Sequence, residues 1–328
     1  MKQNAKGMTL KNLLVTAATV LAAAVAPGGA LAQDYPSRDI HFICAFPAGS
    51  GADVLVRYFA EKLRPIANRA VIVENRAGAG GNIATEYVAR AKPDGYTIYV
   101  HGASGLAANM HLFKKPPVDA AKAIQVAGTI NVQPFMLTVY VKSPYQNVGE
   151  LTAAMKKKGK AATYATSAPN GTVMGEIYKA VTGVQAVEVN YRTGADSLNE
   201  ITSGKLDYAM LDPVLALAQQ REGRLRILAV SSGKRLQASP DLPTMAELGV
   251  PMDLTGWWAA MVPAGTPKPV VDRINQWFVQ MVGSPDAKKF LNSFGGDPYI
   301  ATPEAAQQHL LKSIQDWGEY VRVAKIQP

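Results

Sequence analysis

The residues able to grip or act on a small molecule sit in a few turns, each following a short apolar run. The first is Phe46-Pro47-Ala48-Gly49-Ser50-Gly51-Ala52-Asp53. Others are His101-Gly102-Ala103-Ser104, Ser167-Ala168-Pro169-Asn170-Gly171-Thr172, Tyr191-Arg192-Thr193-Gly194 and Leu211-Asp212-Pro213. A strand end that leads into a helix exposes free backbone N–H groups and a partial positive charge, so it favours an anion. Glycine at such a place lets the backbone come close to that anion. Two such ends facing each other would hold both ends of a dicarboxylate without any arginine.

Side chains in these turns carry alternative roles. Asp53 opens a helix and complements its dipole. Arg192 is either a surface charge or a counter-charge to a second acid group, where a directional ion pair would form. His101 and Asp212 stand at strand ends, where each either touches a ligand or simply packs. Trp257 and Trp258 are expected at a junction between lobes, and one of them could stack on an aromatic ligand.

Catalytic arrangements do not assemble. Neither Ser50 nor Ser104 completes a G-x-S-x-G elbow, because Ala48 and Leu106 occupy outer glycine positions. Gly78, Gly80 and Gly81 follow a strand, but Ile83 stands where a dinucleotide loop needs its third glycine. The histidines, His41, His101, His111 and His309, lack metal spacing, and Cys44 is the only cysteine. No catalytic residue, cofactor or metal is expected, and an exported hydrolase is the weaker alternative.

The elements that position these turns alternate in type. Strands are predicted at 40–46, 71–74 and 96–100, then at 135–141, 162–166, 186–189, 206–211 and 226–230, and last at 257–262. Helices are predicted at 52–63, up to 91, at 148–157, from 172, up to 201, at 267–282 and from 303 onward. Such alternation indicates an α/β protein of mainly parallel sheets flanked by helices. Two sets in series give two lobes, residues 33–134 with 257–328 and residues 135–256. Ligands of open α/β sheets collect beyond the carboxyl ends of the strands, here in the cleft between lobes.

The start of the chain sets a compartment. Lys2, Lys6 and Lys11 precede an apolar run at 13–25, and Ala30-Leu31-Ala32 offers a small-x-small cleavage site. That order reads as a secretory signal peptide over residues 1–32, cut after Ala32, and the run falls short of the roughly 20 residues a bilayer span needs. The chain is 48% hydrophobic and 18% charged, which excludes a disordered chain. Its net charge of +9 is scattered among acids, with only Lys156, Lys157, Lys158 and Lys160 clustered, so nucleic acid is not an expected partner.

The pieces together resemble the Bug-type receptors of tripartite tricarboxylate transporters. The resemblance rests on the turn from Phe46 to Asp53 and on Val73-Glu74-Asn75-Arg76-Ala77-Gly78-Ala79-Gly80-Gly81-Asn82. It extends through Lys92-Pro93-Asp94-Gly95-Tyr96-Thr97, Leu206-Asp207-Tyr208-Ala209-Met210-Leu211-Asp212 and Val262-Pro263-Ala264-Gly265-Thr266-Pro267. It implies a two-lobed periplasmic binding fold of the type II kind, monomeric, that closes on a small carboxylate and delivers it to membrane transporter subunits. A receptor that instead informs a sensor kinase is the alternative. The resemblance places main-chain contacts at Ala48, Gly49 and Ser50 and at Ser167, Asn170, Gly171 and Thr172. Further walls would be Phe46, His101, Ser104, Arg192 and Asp212. Ser50, Arg192 and His101 depart from the usual pattern, and they fall on the wall that should choose between dicarboxylate and aromatic acids.

Overall fold

The computed structural model describes residues 35–327. The predicted leader over residues 1–32 and its expected cleavage after Ala32 lie outside the described residues. By backbone proximity the chain divides into Met1–Ser37 and Arg38–Pro328, and the architecture below belongs to the second unit.

Two sheets organise it. Strands β1 (Ile40–Cys44), β2 (Val71–Asn75), β3 (Thr97–Gly102) and β4 (Ile124–Gln133) belong to the first. Strands β5 (Met136–Tyr140), β6 (Thr163–Thr166), β7 (Val187–Asn190), β8 (Tyr208–Leu211) and β9 (Leu225–Val230) form the second. The chain then returns to the first with β10 (Gly256–Pro263) and β11 (Asp297–Pro298). The orders are β11-β4-β10-β3-β1-β2 and β7-β6-β8-β5-β9. β1 pairs in parallel with β2 and β3, and β6 with β7 and β8. The strands that run against this direction are β5, β10 and the short β11. β5 and β10 are the first strands after each crossing between sheets, so the crossings supply the antiparallel members of mainly parallel sheets. This is a two-lobed α/β fold.

The helices of eight residues or more are α1 (Gly51–Ala67), α2 (Asn82–Ala89), α3 (Ala103–Leu112), α4 (Val148–Lys158), α5 (Pro169–Thr182), α6 (Pro213–Arg221), α7 (Lys268–Val282), α8 (Pro285–Ser293) and α9 (Pro303–Val323), and shorter ones span Ala120–Ala123 and Leu198–Thr202. Amphipathic spacing buries one stripe of α1, where Leu55, Val56, Phe59 and Leu63 face inward. Ser50 caps α1, accepting from the Asp53 amide at 3.2 Å, and Asn68 ends it in the left-handed region at φ 51°.

One apolar core joins Ile43, Tyr99 and Leu106 to Leu137, Tyr164 and Met174, so it runs through both lobes. α9 covers it, packing on α3 and β4 and reaching α5. Among the described residues, no helix is long and apolar enough to cross a membrane.

β4 is absent from the sequence expectation. Its centre holds Gly128, Thr129 and Asn131, which read as a loop. The glycine is there for space: a Cβ on Gly128 would come within 2.8 Å of the Phe278 Cβ on α7. β4 stays a strand because β10 pairs with it from Ile124 to Gln133, while β11 pairs with Asn131 and Val132 on its other edge and Gln307 accepts from the Val126 amide.

Candidate functional site

The first predicted turn is built around a buried aspartate. Asp53 is 1% exposed and accepts from the Gly49 amide (2.8 Å), Arg57 Nε (2.8 Å) and Asn75 Nδ2 (2.7 Å). Asn75 also donates to the Phe46 carbonyl at 3.0 Å. Burial raises the Asp53 carboxyl, but Arg57, Asn75 and the Gly49 amide together outweigh it and hold it below the usual carboxylate range. Asp53 is therefore the post of the turn as well as a charge at the start of α1. The Gly49 amide is occupied, while Ala48 and Gly49 are exposed and the Ser50 hydroxyl serves the cap. Gly49 has φ +79°, the left-handed region that favours glycine.

Phe46, His101 and Trp258 come together behind this turn. The Phe46 ring lies 5.3 Å from that of His101 and 5.7 Å from that of Trp258. His101 stacks on Tyr99 at 4.9 Å and is 3% exposed, and neither of its ring nitrogens has a hydrogen-bond partner among the described residues. A Cβ on Gly81 would stand 3.0 Å from its Nε2. Burial drives the imidazole pKa down from its ordinary value near 6.5 to about 3, so the ring is neutral.

The second lobe presents its own turns. A Cβ on Gly51 would lie 3.3 Å from Val214 Cγ1, so the starts of α1 and α6 meet across the cleft. Asp212 caps α6, accepting from the Leu215 amide at 3.0 Å. Its burial raises the carboxyl despite the amides of Leu215 and Val214. Ser167 and Gly194 are neighbours: a Cβ on Gly194 would be 3.4 Å from the Ser167 Oγ.

Two predicted residues meet in a cavity. Ser104, 8% exposed, and Asn170, 6% exposed, occupy the first turns of α3 and α5 and line a cavity of about 260 Å³. Neither helix has a side-chain cap, and neither side chain has a partner among the described residues. The cavity continues past Asp253–Thr255, the segment returning to the first lobe, and along α9 at His309, Lys312, Ser313, Asp316, Trp317 and Tyr320. These α9 residues were missed by sequence reasoning. They lie far from any turn signal, and their helical spacing reads as an ordinary solvated face.

The remaining predicted residues take other positions. Gly171 is packed, since a Cβ there would meet the Met210 carbonyl oxygen at 2.8 Å. The Thr172 hydroxyl donates to Glu188 at 2.6 Å, beside Thr166, which bonds the same carboxylate oxygen. Arg192 is exposed and forms no ion pair among the described residues. Among those residues no group of three His, Cys, Asp or Glu could hold a metal ion. Trp257 turns from the turns toward α9, donating to Ser313 at 3.2 Å and stacking on His309 at 4.4 Å.

Comparison with known proteins gives a consistent picture. The family described as tripartite tricarboxylate transporter family receptor matches residues 55–325. A protein of the UPF0065 group from Bordetella bronchiseptica is 30% identical over 320 residues, covering 97% of this chain and 95% of its own. Protein BugT of Bordetella pertussis is 28% identical over 319 residues, covering 96% and 98%. Among solved structures, R. palustris Rpa4515 with adipate has a TM-score of 0.82 at 28% identity, covering 90% of this chain and all (100%) of that one. The periplasmic binding protein BugD has a TM-score of 0.78 at 29% identity, covering 89% and 99%.

Proposed function

This chain belongs to the tripartite tricarboxylate transporter receptor family, and from that premise we propose that it is a periplasmic receptor holding a small carboxylate between its lobes for delivery to membrane transporter subunits. Proteins of this family are receptors, not enzymes. In this reading residues 33–134 with 257–328 form one lobe and residues 135–256 the other.

A single observation carries it. The uncapped starts of α3 and α5, one from each lobe, open on the same cavity, with Ser104 and Asn170 beside them and without a partner among the described residues. Free amides at two helix starts supply the donors and the field an anion needs. Phe46, Ala48, Gly49, Ser50, His101, Ser167 and Asp212 form the adjoining wall. Gly171 acts by bringing the backbone close, and Thr172 by positioning Glu188.

The adipate bound to the R. palustris relative supports a small carboxylate as the ligand, and the exposed Arg192 lies outside the lining of this cavity. A ligand that prefers the closed arrangement of the lobes stabilises it by that difference in affinity. Thermal unfolding of the purified protein tests the reading against mono-, di- and aromatic carboxylates. The expected result is a raised Tm for one or a few of them, since a ligand at 100 times its Kd adds about 2.7 kcal/mol. A flat response across the whole series would refute the proposal. Loss of uptake of the same compound in a strain lacking the protein tests delivery.

A further inference from the structure

We propose that the cavity selects a carboxylate that also carries a cationic group, an aminocarboxylate, by reading its two ends on walls of opposite character. This inference rests on the carboxylate reading above and narrows it.

The inner wall is the anion end. It consists of the uncapped first turns of α3 and α5 with Ser104 and Asn170, buried and without a partner among the described residues. The outer wall has the opposite sign. Asp253 and Asp316 contribute two carboxylates, against Lys312 alone. Lys312 is already committed: its ammonium donates to both oxygens of Asp316, at 2.7 and 2.6 Å. His309 adds no charge, because burial lowers its pKa.

Asp253 is therefore the uncompensated group. Its Oδ1 accepts from the Gly233 amide at 2.9 Å and from the Thr255 hydroxyl. Its Oδ2 has no donor among the described residues. Tyr320 fixes the segment by donating to the Asp253 carbonyl at 2.7 Å. Trp317 and Tyr320, rings 6.0 Å apart, line the same side. Carboxylate together with aromatic faces is the chemistry that recognises a cation. A dicarboxylate would set its second acid group against this acidic wall. At about 260 Å³ the cavity holds about nine water-sized groups of ~30 Å³ each, which fits a short aminocarboxylate.

The probes are butyrate, succinate, 4-aminobutyrate and 5-aminovalerate, with thermal shift and calorimetric titration of the purified protein. An aminocarboxylate is expected to bind more tightly than butyrate or succinate. Asp253→Asn should weaken it about tenfold while changing butyrate less than about twofold, the difference expected of one charge-assisted bond. Lys312→Met frees Asp316 and should tighten the aminocarboxylate. That variant sits on an exposed helix face and keeps the idea testable where Asp253→Asn fails to fold. Tighter binding of succinate, or weaker aminocarboxylate binding after Lys312→Met, would overturn this inference and leave the receptor reading standing. Silence from every carboxylate would overturn both.

Discussion

His101 shows how a single side chain reports on its surroundings. Its ring is buried among Phe46, Tyr99 and Trp258, and both nitrogens are without a partner among the described residues. Unfolding releases the ring into water, where it takes up a proton near its ordinary pKa of about 6.5. The folded value is about 3. Between these limits the unfolded chain binds more protons, so acid destabilises the fold and stability rises with pH. The penalty is absent above the unfolded pKa and complete below the folded one. His101→Phe should flatten the dependence of Tm on pH between about 6.5 and 3, and an unchanged slope would place the imidazole in water. The sequence marked His101 as a strand-end residue, but its neighbours come from the turn after β1, from β3 and from β10, and no local spacing reveals that. Ser104 and Asn170 were legible because each follows closely on a predicted strand. Asp253 and Asp316 were not, because the wall they share with those residues is a product of tertiary packing.

At the scale of elements, the turns were the most readable feature. The glycines and prolines at 47–51, 167–171 and 191–194 mark strand ends, and the strands on either side fall within a residue or two of expectation. α5 begins at Pro169 rather than Thr172, since proline suits the first helical position. β4, α3, α6 and α8 escaped notice, each carrying a mixed pattern that becomes regular only against its partners. Packing also explains Gly171, read from sequence as a ligand contact. The start of α5 lies so near β8 that a methyl group would strike the Met210 carbonyl at 2.8 Å. Gly171→Ala should cost about 1–3 kcal/mol in urea unfolding, the usual effect of overpacking. It should also lower ligand affinity by tilting the α5 start. A neutral substitution would show that α5 has slack against β8.

The whole molecule depends on α9. This helix packs on α3, reaches α5, and buries Ala306, Leu310, Trp317 and Val321. It is thus a brace between lobes as well as a cavity wall. Trp317→Ala should cost about 3–5 kcal/mol, read from the midpoint of denaturant unfolding. A loss below about 1 kcal/mol would mean the lobes hold together without it. The two-lobe plan was visible in the series of α/β sets, whereas the brace was visible only as a terminal helix.

The route of the chain has one more effect. The second sheet uses a continuous stretch, from β5 to β9, while β10 lies between β3 and β4 in the first. During synthesis the second lobe has all its strands before the first can close. Until β10 arrives, β3 and β4 keep open edges with no strand between them. The N-terminal half therefore waits on the C-terminal quarter to finish folding. Folding is expected to finish in the first lobe, after the second has closed.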